Sequence, residues 1–195
     1  MIAMPRILRL WGITGALLAA VFAVWMLAFP QLVPMFAWNV QPRAAQVFIG
    51  AGYLFRTYFF LLFVFARDWR QLRWTYAGNL LFTGTLLLAT IWHAPDVRWL
   101  SVVAHIWIVF YTMEPIIMHF SIPRDAAQPA QPLRSGGPVS PAFRWFLILE
   151  VGAAMLFGLI LVINPEWVTK RWPWDLNPFD ARIVAAWWLA AAGWA

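Results

Sequence analysis

Three ionisable residues interrupt long apolar runs: Arg56, Glu114 and Glu150. A charge near the centre of a bilayer costs several kcal/mol unless it is paired or wetted, so such residues mark either a structural ion pair or a proton or ion site. Arg56 lies ten residues from the inner end of its run, Glu114 six from the inner end of its own, and Glu150 five beyond Trp145. At about 1.5 Å per residue these depths differ by only ~6 to 8 Å, a gap an arginine side chain bridges by bending, and the spacing predicts a pair between Arg56 and Glu114 or Glu150. Tyr111 joins this cluster, because Pro115 cannot donate to its carbonyl. A freed carbonyl, a phenol and the Glu114 carboxylate then gather beside a helix kink, a nest for water or a cation.

Two histidines offer different chemistry. His105 and His119 are separated by 14 residues, which turn a helix through about 1400°, roughly 40° short of four turns, and place both imidazoles on one face ~21 Å apart. This spacing resembles that of the haem-ligating histidines in diheme cytochromes of the b type, where two helices each carry such a pair. The resemblance implies haem b as a cofactor with His105 and His119 as ligands. A second pair and the accompanying glycine are missing, and interfacial hydrogen bonding is the favoured role, so no cofactor is the primary expectation.

The elements that position these residues follow from composition. The chain is 63% hydrophobic and 11% charged with a mean hydropathy of +0.70, far from a water-soluble domain. Runs of about 20 apolar residues cross a hydrocarbon core, and five qualify: Leu10–Phe29, Ala44–Ala66, Trp74–Trp92, Trp99–Phe120 and Trp145–Ile163. A sixth begins at Ile183 and reaches only Ala195. The fold class expected is all-α, a polytopic transmembrane helix bundle. Thr75, Asn79, Thr83 and Thr90 in the third run, and Gln46, Gly50, Tyr53 and Thr57 in the second, fall at helical spacing and predict inward polar faces.

The basic residues of the short loops set orientation. An inner N-terminus leaves Arg6, Arg9, Arg67, Arg70, Arg73, Arg124, Arg134 and Arg144 inside, against Arg43, Arg98, Lys170, Arg171 and Arg182 outside. The inner excess favours an N-terminus inside a bacterial inner membrane. The net charge of +6 is accounted for by arginines facing anionic lipid, with no nucleic-acid partner. Cysteine is absent, which removes disulfides, thiolate metal sites and cysteine nucleophiles.

One stretch occurs twice. FAWNVQPRAAQVFIGAG (36–52) and WPWDLNPFDARIVAAWW (172–188) align at an offset of 136, pairing Trp38 with Trp174, Asn39 with Asp175, Gln41 with Asn177 and Pro42 with Pro178. Runs one and two therefore correspond to runs five and six, with the same orientation, as in a parallel repeat. The reading is a four-span unit (1–121), a flexible inner-side linker rich in proline, glycine and alanine (122–141) and a second unit (142–195) truncated after its partial sixth span. Asn177, Pro178 and Asp180 read as a helix start, and Trp38, Trp172 and Trp174 as interfacial anchors. The shared pattern W-x-[VL]-x-P-x-x-A resembles loops of multispanning bacterial membrane proteins of uncharacterised function. That likeness spans 17 residues in each copy and implies no activity.

No P-loop, G-x-S-x-G, H-E-x-x-H or dinucleotide fingerprint occurs, and no metal site is expected, the helix start accounting for Asp175 and Asp180. An enzyme acting on lipid is a minor reading. The leading expectation is a non-catalytic bundle or membrane-complex subunit surrounded by lipid, alone, as a homo-oligomer or with membrane partners. The alternative is a small-solute or ion-coupled transporter using Arg56, Glu114 and Glu150.

Overall fold

Helices form where the apolar runs lie, since a backbone amide out of contact with water must bond within its own segment. The computed structural model describes residues 3–69, 72–121 and 140–194. The long helices are α1 (Arg6–Ala28), α2 (Arg43–Phe65), α3 (Thr75–Trp92), α4 (Val102–Ser121) and α5 (Pro141–Ile163); a short α6 (Pro165–Thr169) leads to α7 (Pro178–Trp194). Single 3-10 turns at Pro30–Met35 and Ala94–Asp96 follow α1 and α3. Of the expected linker (122–141), residues 122–139 lie outside the described residues, whereas Ser140 and Pro141 belong to the start of α5.

Local chemistry marks the helix starts. Ser140 Oγ accepts from the Phe143 amide at 3.2 Å with Pro141 opening α5, and Ser101 Oγ accepts from the Val103 amide at 3.2 Å where α4 begins. Asn177 Oδ1 accepts from the Asp180 amide at 2.8 Å, ahead of Pro178 at the head of α7. Each cap satisfies an amide that has no partner within its helix.

Four helices, α1, α2, α4 and α5, are long and apolar enough to cross a membrane. The third predicted run is helical as α3, but its threonines and Asn79 keep it out of that set; Thr75, Asn79, Thr83, Thr85 and Thr90 are all buried. Their hydroxyls mostly bond back along the helix, as Thr83 does to the Asn79 carbonyl at 2.9 Å and Thr90 to that of Leu86 at 2.7 Å.

The bundle is assembled pairwise. α1 packs along α2, α3 along α4 and α7, and α7 lies against both α3 and α5. Close approach rests on glycine at one crossing: a Cβ on Gly78 would stand 2.6 Å from the Ala190 carbonyl oxygen and 2.1 Å from Trp194, and one on Gly193 would stand 2.6 Å from the Gly78 Cα. Only a missing side chain lets α3 and α7 meet at that distance. Gly84, also on α3, faces open space. Gly78→Ala is therefore expected to destabilise the protein by about 1 to 3 kcal/mol through overpacking. Gly84→Ala should be neutral or slightly stabilising through its better helix propensity. Thermal unfolding of both variants in detergent is the measurement; equal midpoints would refute the crossing.

Candidate functional site

The candidate site begins with Arg56, which is 1% exposed despite its charge. Its guanidinium, carried by α2, pairs with Glu114 Oε1 on α4 and donates to Asn79 Oδ1 on α3 at 2.7 Å. Asn79 Nδ2 in turn reaches the Met118 sulfur on α4 at 2.9 Å. Three helices are thus joined at one point. The guanidinium also lies over three rings, with its carbon 4.6 Å from the Phe59 centroid, 4.4 Å from Phe60 and 4.7 Å from Phe82. Ring faces carry negative quadrupole density, so this aromatic cage offsets part of the lost hydration.

Tyr111 lies one helical turn from Glu114 and is buried among Phe82, Trp107 and Phe110. With Tyr53, Arg56, Phe60 and Trp107 it lines a cavity of about 20 Å³, room for roughly one water. Among the described residues, the Tyr53 hydroxyl and Glu114 Oε2 are enclosed without a hydrogen-bond partner. Arg56, Tyr111 and Glu114 are therefore brought together, and Glu150 is not: it stands exposed on α5. The depth argument treated the helices as equally near one another, whereas α5 packs against α7 and meets the bundle from the far side.

The histidines face away from the core. His105 is exposed with Nδ1 2.9 Å from the Ser101 carbonyl, and His119 is exposed with Nδ1 2.9 Å from the Tyr76 hydroxyl. Trp38 departs from the expected interfacial position: it is 2% exposed, wedged between Trp107 and Phe179, because its indole has a buried acceptor to reach. Trp172 and Trp174 are half-buried and pack on each other at 5.2 Å.

That acceptor belongs to a second cluster, at the end where the loops 29–42, 93–101 and 164–177 gather. Trp38 Nε1 donates to Asp180 Oδ1 at 2.8 Å and Asn177 Nδ2 to Asp180 Oδ2 at 2.7 Å. Beside them Arg182 Nη1 is 2.7 Å from His93 Nε2, and His93 Nδ1 is 3.0 Å from Asp96 Oδ2. A guanidinium can only donate, so Nε2 accepts and neutral His93 carries its proton on Nδ1, towards Asp96. His93 stacks on Phe179 at 5.0 Å. A cleft of about 370 Å³ opens between Trp38, Asn39, His93, Asp96, Asn177 and Phe179. Sequence reasoning missed this cluster apart from the Asn177 cap; aligning Trp38 with Trp174 concealed that Trp38 bonds to Asp180.

The arginines on this end are caps. Arg43 donates to the Met26 and Leu27 carbonyls in the last turn of α1, at 2.5 and 2.6 Å, and Arg182 Nε donates to the Val162 carbonyl in the last turn of α5 at 3.0 Å. Cationic donors there satisfy orphan carbonyls and complement the helix dipole. Compared with known proteins, the chain matches no family model, no curated protein and no solved structure.

Two outcomes follow. Glu114→Ala leaves Arg56 charged and unpaired inside the bundle and is expected to cost about 3 to 5 kcal/mol, whereas Arg56→Met combined with Glu114→Leu should cost clearly less than the two single changes summed. Denaturation in mixed micelles measures both. Burial pushes the Asp180 carboxyl from 3.8 up to about 7, against the bonds from Trp38 and Asn177 that favour its charged form. The folded state then holds this proton more tightly than the unfolded state, so stability is highest below the unfolded value of 3.8 and declines as pH rises to about 7. Asp180→Asn should remove that slope in unfolding midpoints taken across the same range.

Proposed function

We propose that this chain is a non-catalytic helical subunit of a bacterial inner-membrane complex, with the Arg56 to Glu114 pair serving assembly rather than permeation. The observation that carries the reading is closure. The guanidinium is enclosed by Glu114, Asn79 and three phenylalanine rings beside a cavity with room for about one water. A permeation site needs a wet path, and an enclosed pair of this kind supports a fixed joint.

The topology proposed with it is five spans and a partial sixth, N-terminus inside. Support for α3 as a span comes from its exposed face of Ala77, Gly84, Leu88 and Ile91, all apolar, with its polar residues turned inward. The parallel repeat is supported by element order. α1, the Pro30–Met35 turn and α2 run in the same sequence as α5, α6 and α7, and in each set a basic residue early in the later helix caps the last turn of the earlier one.

A second reading has one specific observation behind it. Glu114 Oε2 and the Tyr53 hydroxyl, both enclosed without partners, are what a proton-handling site would present. Glu114→Gln separates the two readings, since it keeps size and removes charge. The assembly reading expects the variant to fail to accumulate in the membrane or to lose several degrees of unfolding midpoint. Normal accumulation together with altered proton uptake into pyranine-loaded proteoliposomes would replace it with the transport reading.

A further inference from the structure

Among the described residues, Glu150 is an ionisable residue deep in an apolar helix that the cluster at Arg56 does not absorb. It sits nine residues into α5, about 14 Å from the inner end and ~20 Å from the other. α5 is the least covered of the four spanning helices, with 17% of its span buried against 39% in α1 and in α2. The coverage it has is one-sided. Towards the outer end Phe157 packs on Trp172 and Trp188, and Gly158 and Leu161 are buried, with Leu189 of α7 against Gly158.

Towards the inner end the same face is open. Phe143, Phe146, Glu150 and Ala153 follow at steps of three and four, so they share one stripe, and all four are exposed. Among the described residues no cation is placed to pair with Glu150. Arg144 lies six positions away, about 240° around the helix and ~9 Å along it, while Arg56 is already bonded to Glu114 and Asn79. An ionised carboxylate left facing hydrocarbon costs several kcal/mol, and a stripe meant for lipid alone has no use for one.

From this stripe we infer that the inner half of α5 is a docking surface for a membrane-spanning helix of a different protein, which brings an arginine or lysine to the depth of Glu150. Charge complementarity selects the occupant. Among the described residues a second copy of this chain offers no free cation at that depth, Arg56 being bonded to Glu114 and Arg144 lying ~9 Å nearer the inner end. Phe143 and Phe146 supply the aromatic walls, and Ala153, one turn beyond Glu150, lets a neighbouring backbone come close. The inference rests on the subunit reading and names the face that would be used.

The test is photocrosslinking of the full chain in its own membranes. Benzoylphenylalanine replaces Phe146, with Leu17 on the exposed face of α1 as control. The crosslinked peptide is sequenced by mass spectrometry. The expected result is an adduct from position 146, and not from 17, to a span of another protein carrying arginine or lysine, with its yield reduced more than about tenfold by Glu150→Gln. Adducts to lipid alone, to a second copy, to the chain itself or to a span without a basic residue would overturn the inference. Native mass spectrometry of the wild-type protein separates the two levels: a hetero-complex that Glu150→Gln leaves intact sinks the α5 surface and spares the subunit reading, while a wild-type protein without any partner sinks both.

Discussion

A guanidinium held out of water is the constraint on which the rest of this structure depends. Arg56 cannot be left alone in the bundle, because an uncompensated buried charge costs more than the fold has to spare. Its partners come from two other helices, Glu114 from α4 and Asn79 from α3, so satisfying one side chain fixes the depth and rotation of three elements. Between helices in lipid the hydrophobic effect supplies little discrimination, since hydrocarbon and leucine are alike. Polar contacts therefore decide register. The rings of Phe59, Phe60 and Phe82 close the space around the charge and hold the pair in a dry setting.

Steric fit supplies what polarity does not. Gly78 against Gly193 brings the α3 and α7 backbones together, and Gly158 receives Leu189 where α5 meets α7. α7 is mostly buried and is flanked on both sides, which explains how a helix with Arg182 and Asp180 in its first turns is accommodated. Both charges lie at the end where the loops meet. Asp180 is bonded by Trp38 and Asn177, and Arg182 caps α5 while holding His93 in a defined tautomer. The Trp38 to Asp180 and His93 to Arg182 contacts tie residues 142 and 89 positions apart in sequence, so the cap joins the early helices to the late ones.

Much of the architecture was legible in the chain. Apolar runs of spanning length predicted every long helix, because burial in lipid forces the backbone to bond internally whatever the side chains. The helix start at Asn177 was local enough to read, while the cap at Ser140 lay inside the stretch read as linker. The Arg56 to Glu114 contact followed from depth, since two opposite charges in hydrocarbon have few alternatives. Depth is one coordinate, however, and it grouped Glu150 with them. The lateral order of helices is not written in hydropathy, and α5 takes its place beside α7, leaving Glu150 on the outside.

By itself the sequence determined the all-helical class, the approximate positions of the long helices and the need for Arg56 to find an acid, all of which follow from transfer energies summed along the chain. Tertiary structure alone decided that Asn79 completes the pair, that Trp38 turns inward to Asp180, that His93 lies between Asp96 and Arg182, and that one carboxylate faces outward. The reason is physical. Hydropathy fixes how deep a residue lies, while neighbours around the helix axis are chosen by shape, glycine contacts and hydrogen-bond geometry among segments far apart in the chain.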